Sequence, residues 1–416
     1  MVTSTDAGSA DDARAQDDRP DDQVSSSPHR PWPLGSPHLW WIEAVVVFLA
    51  VRAIGVIVLA RFADLNGGTV GGRLTVWDGQ WMLAIAEYGY GGVPLSLTDA
   101  QGVHTAETAY AFFPGYPYLV GAIAKLPLIT PFGAAIGLNL ILGCVAAAGA
   151  ARLGAVCARQ MSERSPIGPA SPHATGLILV VLFAATPMSI VLNMAYTETL
   201  FCALAVWALV GVLEHRWLLA GAMTLLAGAT RPTSVVLIGV VMLAAIIAHR
   251  DGWRAWAAIV LSPLGYLGYL AIVWGQTGSP TGWFRVQSEG WDTRIDWGRA
   301  AFNFVNATIV GSGEVAATAT AWVMVASVVL MAIACWSRLP WPVLVYGTLV
   351  VVSILLSTGL IISRTRLLLP AFVLLIPLAM ALARVRPAAA VAMLVPVVVG
   401  SSWFGAHMLT VFPYAI

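Results

Sequence analysis

The first place in this sequence where residue types could do chemistry is a carboxylate among aromatic rings. Val76-Trp77-Asp78-Gly79-Gln80-Trp81 is followed by Ile85-Ala86 and Tyr88-Gly89-Tyr90. Asp78 thus sits between two tryptophans and close to two tyrosines. A carboxylate kept partly dry by such neighbours is suited to take a proton as a general base. The faces of Trp77, Trp81 and Tyr90 would suit a sugar ring. A plainer reading is equally open, namely an aromatic belt at a membrane interface with an Asp capping a helix.

Five further clusters follow. Ala111-Phe112-Phe113-Pro114-Gly115-Tyr116-Pro117-Tyr118 carries two prolines in four residues, which predicts a kinked re-entry with Tyr116 as another stacking candidate. Backbone left unpaired at membrane depth is tolerated only where it lines a protein cavity. Thr186-Pro187-Met188, Asn193 and Tyr196-Thr197-Glu198 form the third cluster, with Glu198 opening an apolar helix where the helix dipole favours an acid. Thr230-Arg231-Pro232-Thr233-Ser234 resembles a helix N-terminus pointing into a cavity, where guanidinium and free N–H groups both favour an anion. Trp283-Phe284-Arg285-Val286-Gln287 with Trp291, and Ser363-Arg364-Thr365-Arg366 before Leu369-Pro370, add cations. Arg52 lies inside the first apolar run, where a charge is costly and usually faces a polar cavity or a partner.

The elements that must position these clusters are read from composition. Of 416 residues, 58% are apolar and 10% charged, with a formal net charge of +1; the mean hydropathy is +0.80. Soluble domains are nearer half apolar and a quarter charged, so these values predict an all-α polytopic membrane protein. They exclude a single-core soluble enzyme, and the charge balance excludes a nucleic-acid partner. Apolar runs near 39–60, 133–152, 174–193, 198–214, 216–230, 232–249, 255–274, 318–336, 341–362, 367–383 and 388–410 predict about eleven spans. Residues 38–411 would form the membrane domain, with two long loops, 61–132 and 275–317, expected to carry short helices and function. The segment 112–128 reads as re-entrant or interfacial.

Seven of the 21 acids lie within residues 1–30, a stretch without Leu, Ile, Phe, Trp or Tyr. Residues 1–37 are therefore expected to be a disordered acidic tail on the cytoplasmic side, without the pattern of a cleaved signal peptide. Arg30, Arg152, Arg159, Arg164, Arg216, Arg250, Arg254, Arg338, Arg384 and Arg386 mark alternate loops as cytoplasmic. Both long loops, Glu198, Arg231, Arg364 and Arg366 then fall on the extracytoplasmic side of a cell membrane. Cys144, Cys157, Cys202 and Cys335 read as small buried hydrophobes, with neither disulfide nor zinc spacing.

In order, Trp77-Asp78 with Ile85-Ala86 and Gly89-Tyr90, Phe112-Phe113-Pro114-Gly115-Tyr116-Pro117, Tyr196-Thr197-Glu198, Thr230-Arg231-Pro232, Phe284-Arg285-Val286-Gln287 with Trp291, and Arg364 before Leu369-Pro370 resemble the motifs of the GPI mannosyltransferase II (PIG-V-like) family. The likeness covers roughly residues 40–385. It departs at Gly115, where that family commonly has Leu, at Thr197 (Ser), at Pro232-Thr233 (Ser-Asn) and at Thr365 (Tyr). The resemblance implies a GT-C type glycosyltransferase that moves mannose from a polyprenyl-phosphate donor to a lipid or glycan hydroxyl with inversion, Asp78 being the base. The Arg-heavy, Ala-rich composition points to an actinobacterial member and hence to an acceptor other than a GPI anchor. Arg231, Arg364, Arg366, Arg285, Gln287, Glu198, Tyr196 and Arg52 are then the expected donor-binding residues. Trp77, Trp81, Tyr90 and Tyr116 are expected to stack on acceptor or sugar. No cofactor is required; a divalent cation is conceivable and not indicated. The competing class is a polyprenyl-linked sugar transporter or flippase without transferase activity, which broken helices and an Arg-lined cavity would also fit.

Overall fold

The computed structural model describes residues 39–311 and 313–415; the expected tail 1–37 lies outside the described residues. In chain order the helices are α1 (Trp40–Leu65), α2 (Val70–Arg73), α3 (Asp78–Tyr88), α4 (Gly115–Ala124), α5 (Pro131–Met161), α6 (Pro172–Ala184), α7 (Glu198–Leu213), α8 (Trp217–Gly228) and α9 (Ser234–Ile247). They continue with α10 (Trp253–Leu261), α11 (Leu264–Thr277), α12 (Gly282–Gly290), α13 (Arg299–Val310), α14 (Val315–Trp336), α15 (Trp341–Leu355), α16 (Arg364–Leu367), α17 (Ile376–Leu382) and α18 (Pro387–Thr410). The only extended pairing among the described residues is one bridge between Ile295 and Ser357.

Five helical stretches are long and apolar enough to cross a membrane: Trp40–Leu65, Pro131–Met161, Trp253–Thr277, Val315–Trp336 and Pro387–Thr410. Six shorter apolar ones, of 10–17 residues, occupy the remaining predicted spans. The chain is an all-helical polytopic membrane protein. The long loops do carry helices of their own, α2 to α4 in the first and α12 and α13 in the second.

Helix starts follow local chemistry. Thr130 accepts a hydrogen bond from the Gly133 amide and Pro131 opens α5; Ser171 and Pro172 do the same for α6. A hydroxyl cap followed by a proline at the first helical position satisfies amides that have no intrahelical partner. The predicted span 255–274 is broken at Ser262-Pro263, since a proline has no N–H to continue the ladder. Packing relies on small residues: a Cβ at Gly176 on α6 would lie 2.5 Å from the Ala151 carbonyl of α5. Close backbone approach of this kind is how membrane helices gain contact when lipid is as apolar as they are. Cys157 and Cys202 are buried as expected, but Cys335 is exposed on α14.

Arg52 has a local role. It is 4% exposed and donates from Nε to Asn193 Oδ1 (2.6 Å), and from Nη1 to the Ala184 carbonyl (2.9 Å) and Ser189 Oγ (2.7 Å). It staples α1 to the segment after α6 and does not reach the cavity described below.

Candidate active site

Asp78 is the first residue of α3, and the turn before it is held under strain. Trp77 adopts φ +54°, ψ −118°, a conformation that non-glycine residues rarely take. The surrounding structure fixes it there. Ala195 donates its amide to the Leu74 carbonyl at 3.0 Å, and the Tyr196 hydroxyl donates to the Val76 carbonyl at 3.1 Å. A Cβ at position 79 would lie 3.3 Å from the Tyr196 ring, so glycine lets the two segments close. On the other side Asn139 of α5, 1% exposed, donates to the carbonyls of Met194 and Tyr196. The strap from 74 to 79 and the turn from 194 to 198 are thus bound together, bringing Asp78 beside Glu198.

Two arginines from distant segments complete a chain of alternating charge. Arg366 Nη2 lies 2.6 Å from Asp78 Oδ2, and its Nη1 lies 3.2 Å from Glu198 Oε1. Arg231 Nη1 lies 2.7 Å from the same Glu198 oxygen and 3.3 Å from Thr197 Oγ1. The Arg366 guanidinium also sits 5.0 Å over the Tyr196 ring, a cation–π contact. Burial opposes the Arg366 charge, but the Asp78 and Glu198 carboxylates outweigh it and hold that guanidinium above its ordinary range. Arg231 is positioned from below: Gly115 donates its amide to the Ala229 carbonyl at 2.8 Å, fastening α4 to the turn that carries Arg231.

These residues line a cavity of about 370 Å³. Its second wall is made by two loops zipped together, with Asp296 N donating to the Leu356 carbonyl (3.0 Å) and Thr358 N to the Arg294 carbonyl (2.7 Å). Arg364 projects from this wall. It donates through Nη2 to the Ser357 carbonyl, and no carboxylate lies within ion-pair distance of it among the described residues. Burial lowers its affinity for its proton and Asp296 partly restores it. Phe112 and Trp291 form an aromatic corner, their rings edge to face at 5.6 Å. Among the described residues, five buried polar atoms of the lining have no hydrogen-bond partner: Glu198 Oε2, Thr233 Oγ1, Ser363 Oγ, Arg364 Nη1 and Arg366 Nε. Buried polar groups are ordinarily paired, so this concentration marks where a polar ligand would complete the set.

Of the residues expected from sequence, Asp78, Tyr196, Glu198, Arg231, Gln287, Arg364 and Arg366 line the cavity. Gln287 is also structural, donating to the Ala111 carbonyl at 2.9 Å. Arg285 does not reach the cavity; it pairs with Glu107 at 2.7 Å with its side chain 42% exposed. Trp77, Trp81, Tyr90 and Tyr116 are likewise outside the lining. Trp81 stacks on Phe112 (5.2 Å) and His104 (6.1 Å), while Tyr90 donates to the Phe112 carbonyl (2.7 Å). Tyr116 is fully buried, and Trp77 packs against the main core. They shape the site from behind, and Phe112, Phe113 and Trp291 present the aromatic surface instead. Asn139 and Ser357 carry no signal in the sequence, because a lone amide or hydroxyl in an apolar run has no spacing pattern; Thr230 and Ser363 stand in the quoted clusters, where the neighbouring arginines draw the reading.

No family model matches this sequence. None of the curated proteins matches it either. Among solved structures, the chain is similar to the crystal structure of ArnT from Cupriavidus metallidurans bound to undecaprenyl phosphate. The two are 13% identical, aligned over 88% of this chain and 75% of that one, with a TM-score of 0.48.

Proposed function

We propose that the cavity is the active site of an inverting membrane glycosyltransferase of GT-C type, which moves a sugar, mannose in this reading, from a polyprenyl-phosphate donor to an acceptor hydroxyl. The observation that carries the reading is the meeting, in a cavity of about 370 Å³, of one partly exposed carboxylate with polar atoms that lack hydrogen-bond partners and with a guanidinium, Arg364, that has no carboxylate within ion-pair distance, both among the described residues. That volume falls within the range of small-ligand sites. The placement of arginines along the sequence supports an active site on the extracytoplasmic face with the N-terminus cytoplasmic.

The chemistry needs little more than these groups. The acceptor hydroxyl attacks the anomeric carbon from the side opposite the phosphate, and Asp78 takes the hydroxyl proton. The bond from that carbon to the phosphate oxygen breaks, and its electron pair leaves on the phosphate. Arg364, with Arg231 and Arg366, balances the charge gathering there. The Phe112 and Trp291 rings supply a face for the sugar.

Incubation of the purified full chain with radiolabelled polyprenyl-phosphate mannose and membrane lipid acceptors tests this. Label is expected in a new covalent product. A transporter or flippase would bind or move the donor and yield no such product.

A further inference from the structure

Arg366 is shared between two carboxylates that differ in kind. Glu198 is 1% exposed and accepts from two guanidinia on one oxygen. The Asp78 side chain is 30% exposed, and Arg366 is its only ion-pair partner among the described residues. A carboxylate oxygen that should receive a proton is therefore occupied by a cation in the resting protein. Of the two pairs, the one to half-buried Asp78 is the cheaper to exchange. Asp78, at 30% exposure, can be rehydrated when it lets go, whereas breaking the pair to Glu198 strands a buried charge.

Resting on the glycosyl-transfer reading above, we infer that Glu198 is a positioning residue: it keeps Arg366 by one edge while the other edge passes from Asp78 to the phosphate of an incoming polyprenyl-phosphate ligand. A phosphate oxygen replaces Asp78 Oδ2 as acceptor of the Nη2–H bond, and Asp78 is released towards the acceptor hydroxyl. No covalent bond changes in this exchange. The charges around Arg366 allow it. Arg364 faces the same cavity with no carboxylate within ion-pair distance among the described residues, so an incoming phosphate meets a second cation there. The ring of Tyr196 under the guanidinium gives it a platform in either position.

Asp78 and the phosphate then compete for one donor, and this fixes the signs of two opposite effects. With the full chain in nanodiscs and a synthetic polyprenyl monophosphate as probe, Asp78→Asn is expected to bind about tenfold more tightly than wild type. Glu198→Gln, which leaves Arg366 to Asp78 alone, is expected to bind about tenfold more weakly. Glu198→Gln should also lose kcat and raise the donor KM, with Glu198→Asp recovering most of both. The double variant should return to near wild-type binding. Unchanged or weaker binding by Asp78→Asn overturns the inference, and that variant alters a partly exposed side chain, so the outcome does not depend on Glu198→Gln folding. If wild type transfers sugar and Asp78→Asn fails to tighten, only this inference falls. If no transfer occurs and the binding order holds, the transferase reading falls and the sharing of Arg366 stands.

Discussion

Gly115 and Ala229 touch at the backbone: the Gly115 amide donates to the Ala229 carbonyl at 2.8 Å, and a Cβ at 115 would sit 2.8 Å from that same oxygen. The glycine is thus a requirement of this contact, and the leucine common in the PIG-V-like family has no room here. Gly115→Ala is expected to push the turn bearing Arg231 away from Glu198. Loss of most turnover, with destabilisation of about 1–3 kcal/mol from overpacking, would show in transfer assays and thermal unfolding. Turnover equal to wild type would break the link from Gly115 to Arg231.

Asp78→Asn should abolish transfer, by about 10²–10⁴-fold as expected for loss of a general base, in a protein that still binds polyprenyl phosphate. Near-normal transfer by this variant would remove Asp78 from the mechanism.

Arg364 and Arg285 make a contrasting pair. Arg364 has no carboxylate within ion-pair distance among the described residues and Arg285 is tied to Glu107 at the surface. Arg364→Ala should raise the donor KM by about tenfold or more, whereas Arg285→Ala should leave transfer within about twofold, as for most exposed ion pairs. Equal losses would mean that the cavity has been drawn in the wrong place.

How much of this was legible beforehand depends on what kind of signal each feature has. The spans were readable because a long apolar run has few other uses, and the break around 112–117 was marked by proline, but the run 255–274 reads as one span and its break at Pro263 does not show against the apolar background. Asp78, Arg231 and Arg364 were readable because a charge beside an apolar run is costly. Their pairing was not. Nothing in local spacing says that Arg366 reaches Asp78 or that Glu198 takes two guanidinia, because those contacts join segments far apart in the chain. Proximity in sequence misled for the aromatics: Trp81 lies one helical turn from Asp78, yet its ring is committed to Phe112 and His104. Arg52 and Arg285 misled for the opposite reason, since each is taken up by partners far away in the chain, Asn193, Ala184 and Ser189 for one and Glu107 for the other.

Arg52→Met tests the structural assignment. Removing its donors leaves Asn193, Ser189 and the Ala184 carbonyl short of partners, at a cost of about 1–3 kcal/mol. A lowered melting temperature is expected, with the donor KM unchanged. A raised KM at wild-type stability would place Arg52 in the site after all.

The wall loop should respond to acid. Hydrogen bonds from the Ala300 and Gly298 amides, with the nearby Arg364, hold the Asp296 carboxyl below its ordinary 3.8 despite some desolvation. A carboxylate depressed by folding adds stability that is present above its unfolded value and lost as pH falls through its folded value. Amide exchange in residues 291–300, corrected for intrinsic rates, should therefore stay slow near neutral pH and accelerate only below about pH 4. Loosening that begins above pH 5 would assign the effect to another group.

The chain of Asp78, Arg366, Glu198 and Arg231 is assembled in an order different from its spatial one. A ribosome delivers both carboxylates and Arg231 long before the segment at 363–366 exists. Until then Asp78 lacks its cation and Glu198 has only one of its two, and the second wall, which needs Ser357 and Arg364, is missing. Because contacts this distant in sequence close late, a half-made chain holds Asp78 and Glu198 before the arginines at 364 and 366 exist. The cavity is completed only once residues 363–366 have been made, and a chain stopped before them would have neither the Arg366 bridge nor Arg364.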